Sequence, residues 1–169
     1  MKNLFAILFC FAAFACGNAE SKTRINGAAN SSKGSVGILE TLKTDYFDVT
    51  VNSVKVEDHV NTGDEFTNIP KEDGAKFLIL DLSIKNTDSE SRTMYDGDIL
   101  VNFNGKDFKF DHAETILADG WGILLDQINP LMTKKTKVVY KIPAELKGPA
   151  FYNPGRADAN QKIFLGEIK

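Results

Sequence analysis

Cysteine is nearly missing from this chain. Only Cys10 and Cys16 occur in 169 residues, and Cys10 falls inside an apolar run that reads as an export signal. A domain left with Cys16 alone closes no internal disulfide and offers no thiolate pair to a structural metal. Histidine is as scarce. His59 and His112 are the only two, and neither has a second nitrogen or sulfur ligand at ligating spacing, so both are expected as surface residues and no zinc or copper centre is expected. Positive charge is not in excess either: the formal net charge is −3 and becomes more negative once Lys2 is removed. That acidity argues against a nucleic-acid partner, which calls for a basic face. No glycine pattern of a nucleophile elbow accompanies the Ser, His and Asp residues, so neither an enzyme nor a cofactor is expected. No apolar run reaches the ~20 residues that a transmembrane helix needs.

What is present begins with Lys2 and an apolar run of 12 residues from Leu4 to Ala15, followed by Cys16. A positive start and a short apolar core predict a signal peptide over residues 1–15. Ala13-Phe14-Ala15 fits the small-x-small rule of ordinary signal peptidase, and Ala13 to Cys16 also resembles a loose lipobox. The thiol itself favours the lipobox. Cys16 would be the only cysteine of an exported chain, and thioether lipidation consumes a thiol that an oxidising compartment would otherwise attack. Cys16 is therefore expected to carry the lipid anchor of an envelope lipoprotein, with several acyl chains, because one chain holds a protein only marginally. Residues 16–43, rich in Gly, Asn, Ser, Ala and Lys, are expected to form a flexible tether. Gly37 to Glu40 is a brief apolar interruption at its end. Residues 44–169 are then one domain, long enough to bury a single core without staples.

Lys76 to Asn86 (KFLILDLSIKN) organises that domain. It opens doubly apolar with Phe77 to Leu80 and then alternates, Leu82 and Ile84 against Asp81, Ser83 and Lys85. Such a strand is covered on both faces in its first half and wet on one face in its second. Tyr46 to Val56 is a strand whose apolar parity switches at Asn52-Ser53, which predicts a bulge. Ile99 to Asp111 is a hairpin around Asn104-Gly105, since both central residues of such a turn need positive φ. Lys134 to Ile142 resumes strand character, and Pro149 to Tyr152 and Lys162 to Ile168 supply the last two strands. Seven or eight short strands, turn punctuation and no sustained helical period predict an all-β protein, an immunoglobulin-like β-sandwich.

The succession of the VNSVKV strand, the KFLILDLSIKN strand closing on Asn86, the Asn104-Gly105 hairpin, the Asn129-Pro130 turn and the VVYKIP strand resembles the telokin-like, immunoglobulin-like extracellular domain of many bacterial lipoproteins. That family is of unknown function and akin to a secreted mycobacterial antigen. The resemblance covers most of Phe47 to Ile168. It implies a fold and an envelope location, and it supplies no catalytic residues.

Candidate sites are correspondingly few. Asp96 and Asp98 flank Gly97 and are the weak calcium candidates; Asp107, Asp111 or Asp119 would have to join them, and a solvated acidic turn is the simpler reading. Trp121, between two glycines, either plugs one end of the sandwich or anchors a partner. Tyr152 and Arg156, around Asn153-Pro154-Gly155, form a second candidate contact loop. Lys134, Lys135 and Lys137 suit a solvated strand edge. The expected function is a non-catalytic binding module on a membrane-anchored lipoprotein, with a protein or another envelope component as partner. The alternative is a small-ligand or calcium-binding envelope protein.

Overall fold

The computed structural model describes residues 35–123 and 127–169. Cys16 and the predicted signal peptide lie outside the described residues. The strands are β1 (Ser35–Val36), β2 (Thr41–Lys43), β3 (Phe47–Glu57), β4 (Ala75–Asn86), β5 (Arg92–Thr93), β6 (Asp98–Phe103), β7 (Lys106–Phe110), β8 (Gln127–Ile128), β9 (Thr133–Pro143), β10 (Gly148–Asn153) and β11 (Lys162–Ile168). They build a five-stranded sheet in the order β1-β11-β10-β6-β7 and a four-stranded sheet in the order β2-β3-β4-β9; β5 and β8 pair separately. This is the expected all-β sandwich, and seven of its strands have five or more residues.

Alternation explains the inner layer. Leu78, Leu80, Leu82 and Ile84 of β4 point inward with Phe47, Val49 and Val51 of β3 and Val138, Tyr140 and Ile142 of β9, and they meet Ile99, Val101, Ala150, Tyr152 and Ile163 of the facing sheet. The β3–β4 register shifts between Val51 and Ser53, so the bulge falls at Asn52. Asn104 and Gly105 turn the hairpin with φ of 53° and 76°, the conformation an Asn-Gly pair adopts at least cost. Asn86 ends β4 fully buried. Its side-chain amide donates to the carbonyls of Glu90 (2.8 Å) and Ile128 (2.7 Å), so the loops that follow are tied to the end of the sheet.

Two expectations change. The sandwich begins inside the stretch assigned to the tether: Ser35 and Val36 pair in parallel with Lys162 and Ile163, and Leu42 pairs with Val49. The composition bias over the nine residues 35–43 is too short to outweigh two sheet edges that offer backbone partners. The cover of β4 also differs: its apolar first half is expected beneath the Asn104-Gly105 hairpin and the Val138 to Ile142 strand. β9 lies beside it in the same sheet and the Asn104-Gly105 hairpin belongs to the opposite sheet. The outer face is covered by loops, in a second apolar cluster of Val60, Phe77, Ile116 and Val139, with Ile69, Ile79, Ala118 and Trp121 packed against it.

Candidate functional site

The two candidate loops, Tyr95 to Asp98 and Asn153 to Arg156, come together. β10 pairs with β6 so that Asn153 lies opposite Asp98 and Tyr152 opposite Ile99. The loops that continue these strands then cross in backbone contact, and only glycine permits the approach. A Cβ on Gly155 would lie 2.5 Å from the carbonyl oxygen of Tyr95. One on Gly97, whose φ is +82°, would run into the Asn153 carbonyl oxygen and lie 2.7 Å from the Gly155 nitrogen. From the core side two tyrosines grip the same turn. The Tyr152 hydroxyl donates to the Asp96 carbonyl (2.7 Å), and the Tyr140 hydroxyl donates to the carbonyls of Asp96 (2.8 Å) and Gly97 (3.0 Å). Burial pushes both phenols well above their ordinary pKa, so they act as neutral donors.

Tyr152 was expected in a partner-contact loop, and the structure overturns this: it is fully buried. Alternation along β10 turns Ala150 and Tyr152 inward, and the phenol tip finds its partner inside the fold.

Between the locked loops opens a cleft of about 460 Å³, lined by Met94, Tyr95, Asp96, Asp98, Asp111 and Arg156 among others. Tyr95 is 54% exposed. The Arg156 guanidinium stacks 4.7 Å from the Tyr95 ring centre and donates to the Thr93 carbonyl (2.5 Å) and the Tyr95 hydroxyl (3.3 Å). Arg156 takes a positive φ of 68° to hold that position. The three carboxylates are in different states. Asp98 pairs with Lys109 at 3.1 Å. Asp96 is half-buried; desolvation raises its pKa, opposed by the Ile123 N–H that its carboxylate accepts and by the nearby His112. Asp111 is exposed.

Of the other two carboxylates considered for a calcium site, Asp107 accepts from Asn102 at 2.7 Å and Asp119 is exposed, outside the residues that line this cleft. Among the described residues no group of three His, Cys, Asp or Glu side chains comes together to hold a metal ion. Both histidines are exposed, and His59 pairs with Asp58 at 2.7 Å.

Trp121 is not at an end of the sandwich. It is half-buried against the outer face of the four-stranded sheet, beside the second apolar cluster, and Lys137 lies 4.9 Å over its ring. The backbone around it pairs with β9: Lys137 N–H donates to Gly120 O (2.8 Å), Gly122 N–H to Lys137 O (2.7 Å) and Glu114 N–H to Val139 O (2.8 Å). The β9 edge, expected to be a lysine-guarded free edge, is therefore partly covered by this segment. Glycines at 120 and 122, both at positive φ, let it turn onto the sheet. Grooves of about 360 and 390 Å³ flank the indole.

Residues 36–152 match a family described as a domain of unknown function, DUF4352. The chain belongs to this family. Among curated proteins none matches it significantly. The fold is similar to that of an uncharacterized β-sandwich protein from Clostridium difficile, with 19% identity and a TM-score of 0.56 over 83% of this chain and 97% of that one. It is also similar to a conserved hypothetical protein from Bacillus anthracis, with 21% identity and a TM-score of 0.51 over 78% of this chain and 95% of that one. At such identities the likeness is one of fold.

Within this DUF4352 domain, Tyr140 is the site residue that sequence reasoning missed, while Tyr95 and Gly97 were read only as neighbours of Asp96 and Asp98 in an acidic turn. Tyr140 reads as an ordinary inward strand residue, and only the crossing of the sheets brings its hydroxyl to Asp96. The signal for Gly97 and Gly155 was present as two turn glycines, but nothing in the sequence joins one to the other.

Proposed function

We propose that the protein is a membrane-anchored lipoprotein of the bacterial cell envelope, and that its sandwich is a non-catalytic binding module of the telokin-like, immunoglobulin-like kind. The lipobox ending at Cys16 supports the anchor. The observation that carries the binding role is the glycine-locked cleft. Its walls are held by backbone contact and tyrosine hydroxyls, and the exposed Tyr95–Arg156 pair at its mouth is an aromatic and a guanidinium in the combination that interface anchors favour. A rigid mouth also lowers the ordering cost of binding.

The test places a photo-reactive amino acid at Tyr95 in intact cells. A discrete adduct that Arg156→Ala diminishes at least several-fold supports the reading; no adduct, or one indifferent to Arg156, overturns it. Cys16→Ser should move the protein from membrane to soluble fractions, and unchanged partition would remove the anchor. A small-ligand role is the second reading, favoured by a cleft volume within the usual range for small-molecule sites. Calorimetry with calcium, giving neither heat nor a change in melting temperature, would remove its metal-binding form.

A further inference from the structure

We infer that the free edge of β7 pairs with the β7 edge of a second copy of this chain, antiparallel about a two-fold axis at Phe108, so that two five-stranded sheets join into one. The inference goes beyond the binding role proposed for the cleft and does not depend on it.

The backbone offers the edge. β7 ends its sheet, and among the described residues no strand pairs with its far side. The other edges are short, covered or bent. β1 and β2 have two and three residues, and β9 is partly covered by the segment from Glu114 to Gly122. β3, where it outruns β2, carries the bulge at Asn52, a device that turns an edge away from pairing. β7 has no such device. The Asn104-Gly105 turn sets which of its backbone groups are free. In a two-residue turn the Lys106 N–H returns to the Phe103 carbonyl. Bonded and non-bonded pairs then alternate along the register of Phe103 with Lys106, Asn102 with Asp107, Val101 with Phe108 and Leu100 with Lys109. Lys106, Phe108 and Phe110 therefore bond to β6, whereas Asp107 and Lys109 turn N–H and C=O to the open side.

The side chains choose the register. With Asp107 opposite Asp107 of the second copy, two carboxylates meet. With Lys109 opposite Lys109 of the second copy, two ammonium groups meet and Asp107 faces Asp111. Only the register centred on Phe108 sets Asp107 against Lys109 and Lys109 against Asp107, each pair exchanging two backbone hydrogen bonds. Both side chains are exposed. Their contacts within the chain, Lys109 with Asp98 at 3.1 Å and Asp107 with Asn102 at 2.7 Å, leave the ammonium and the carboxylate capacity for a second partner. On the other face the same register sets Phe108 beside Phe108 of the second copy as a close, non-hydrogen-bonded pair, and Lys106 opposite Phe110. In the single chain Phe108 is only half-buried, 6.2 Å from Phe103 between ring centres and with Lys106 at 5.3 Å over its ring. An aromatic cross-strand pair covers it further. Two lysines alone would guard the edge against pairing. Asp107 between them turns the guard into a code that the same strand, reversed, satisfies.

Single cysteines in the full chain, expressed in cells, read the register. After mild oxidation, covalent dimer is scored on a non-reducing gel as the excess over the unaltered chain. Phe108→Cys should give several-fold more dimer than Asp107→Cys or Lys109→Cys, since only residue 108 meets its own copy. The double variant Asp107→Cys with Lys109→Cys, which leaves Phe108 in place, should cross-link where neither single variant does. Dimer strongest at 107 or 109, equal at all three positions, or absent from both Phe108→Cys and the double variant overturns the pairing. An adduct of a different mass, which would put another protein on this edge, overturns it as well. Charge exchange tests the code. In the Phe108→Cys chain, adding Asp107→Lys should lower the dimer several-fold, and adding Lys109→Asp to that should restore it; a double exchange no better than the single one overturns the register.

Discussion

Met94 to Gly97 and Ala113 to Gly122 are both irregular, and both are held against β9, yet by different forces. The first is gripped at single atoms: two phenol hydroxyls on one carbonyl, and two glycines that admit backbone against backbone. The second is laid along β9 by three backbone hydrogen bonds and covered apolar side against apolar side, Ile116 with Val60, Phe77 and Val139. A hydrophobic cover loses stability in proportion to the area removed and can partly relax around a deletion. An interlock has no such slack, so a single methyl group disturbs it. The difference suits their places, because the walls of the cleft need fixed geometry and the outer patch only needs to be closed.

The largest effect is expected on the covered side, where Phe77→Ala should cost about 3–5 kcal/mol in a urea titration, because it removes the centre of the second cluster. A loss near 1 kcal/mol would mean that the outer cover contributes little and that the contrast is overstated.

A pair of glycines sharpens it. Gly97 and Gly120 both have positive φ, +82° and +79°, but an added Cβ meets backbone at Gly97 and nothing within 4 Å at Gly120. Gly120→Ala should therefore cost only the conformational penalty of about 1–2 kcal/mol, and Gly97→Ala roughly 2 kcal/mol more. Equal melting temperatures of the two variants would break the interlock argument.

Next come the hydroxyls. Tyr140→Phe and Tyr152→Phe should each cost about 1 kcal/mol, since either phenol still serves the Asp96 carbonyl; the double variant should cost more than the sum, because that carbonyl is then unserved. A double-mutant cycle in chemical denaturation measures this.

Smallest is a pH effect at Asp96. Its folded pKa is raised above the ordinary 3.8 by desolvation. The folded state thus holds that proton more tightly, and the stability this confers is full below 3.8 and lost as pH rises through the raised value. Asp96→Asn should melt slightly higher than the parent near neutral pH, with the gap closing on acidification. A gap that widens in acid would show that the carboxylate is stabilised in place. Asp88, held below its ordinary value first by Arg92, has the opposite sign: its contribution is present above 3.8 and is lost as pH falls through the lowered pKa.

Much of the sandwich was legible because strands write their burial at period two. Leu82, Ile84, Val138, Tyr140 and Ile142 name their own inward faces, Asn104-Gly105 names its turn, and the parity switch at Asn52-Ser53 names the bulge. The candidate site was legible only in fragments. Asp96, Asp98 and Arg156 were noticed and do line one cleft, but as parts of two unrelated loops. Tyr152 was noticed for the wrong reason, since a tyrosine next to a Pro-Gly turn looks exposed until the strand's alternation is carried through it. Trp121 was read as an end plug or a partner anchor, and its place on the outer face was not foreseen because the pairing of an irregular segment with β9 leaves no periodic trace.

By itself, then, the sequence determined the layer each strand residue faces, the hairpin and the bulge, all consequences of spacing within a few residues. Only the tertiary structure decided that Gly97 and Gly155 meet, that Tyr140 and Tyr152 share one carbonyl, and that Ser35 and Val36 join a sheet. These depend on which strands become neighbours. Contacts between residues dozens of positions apart are set by how two twisted sheets cross, and local propensity carries no record of that crossing.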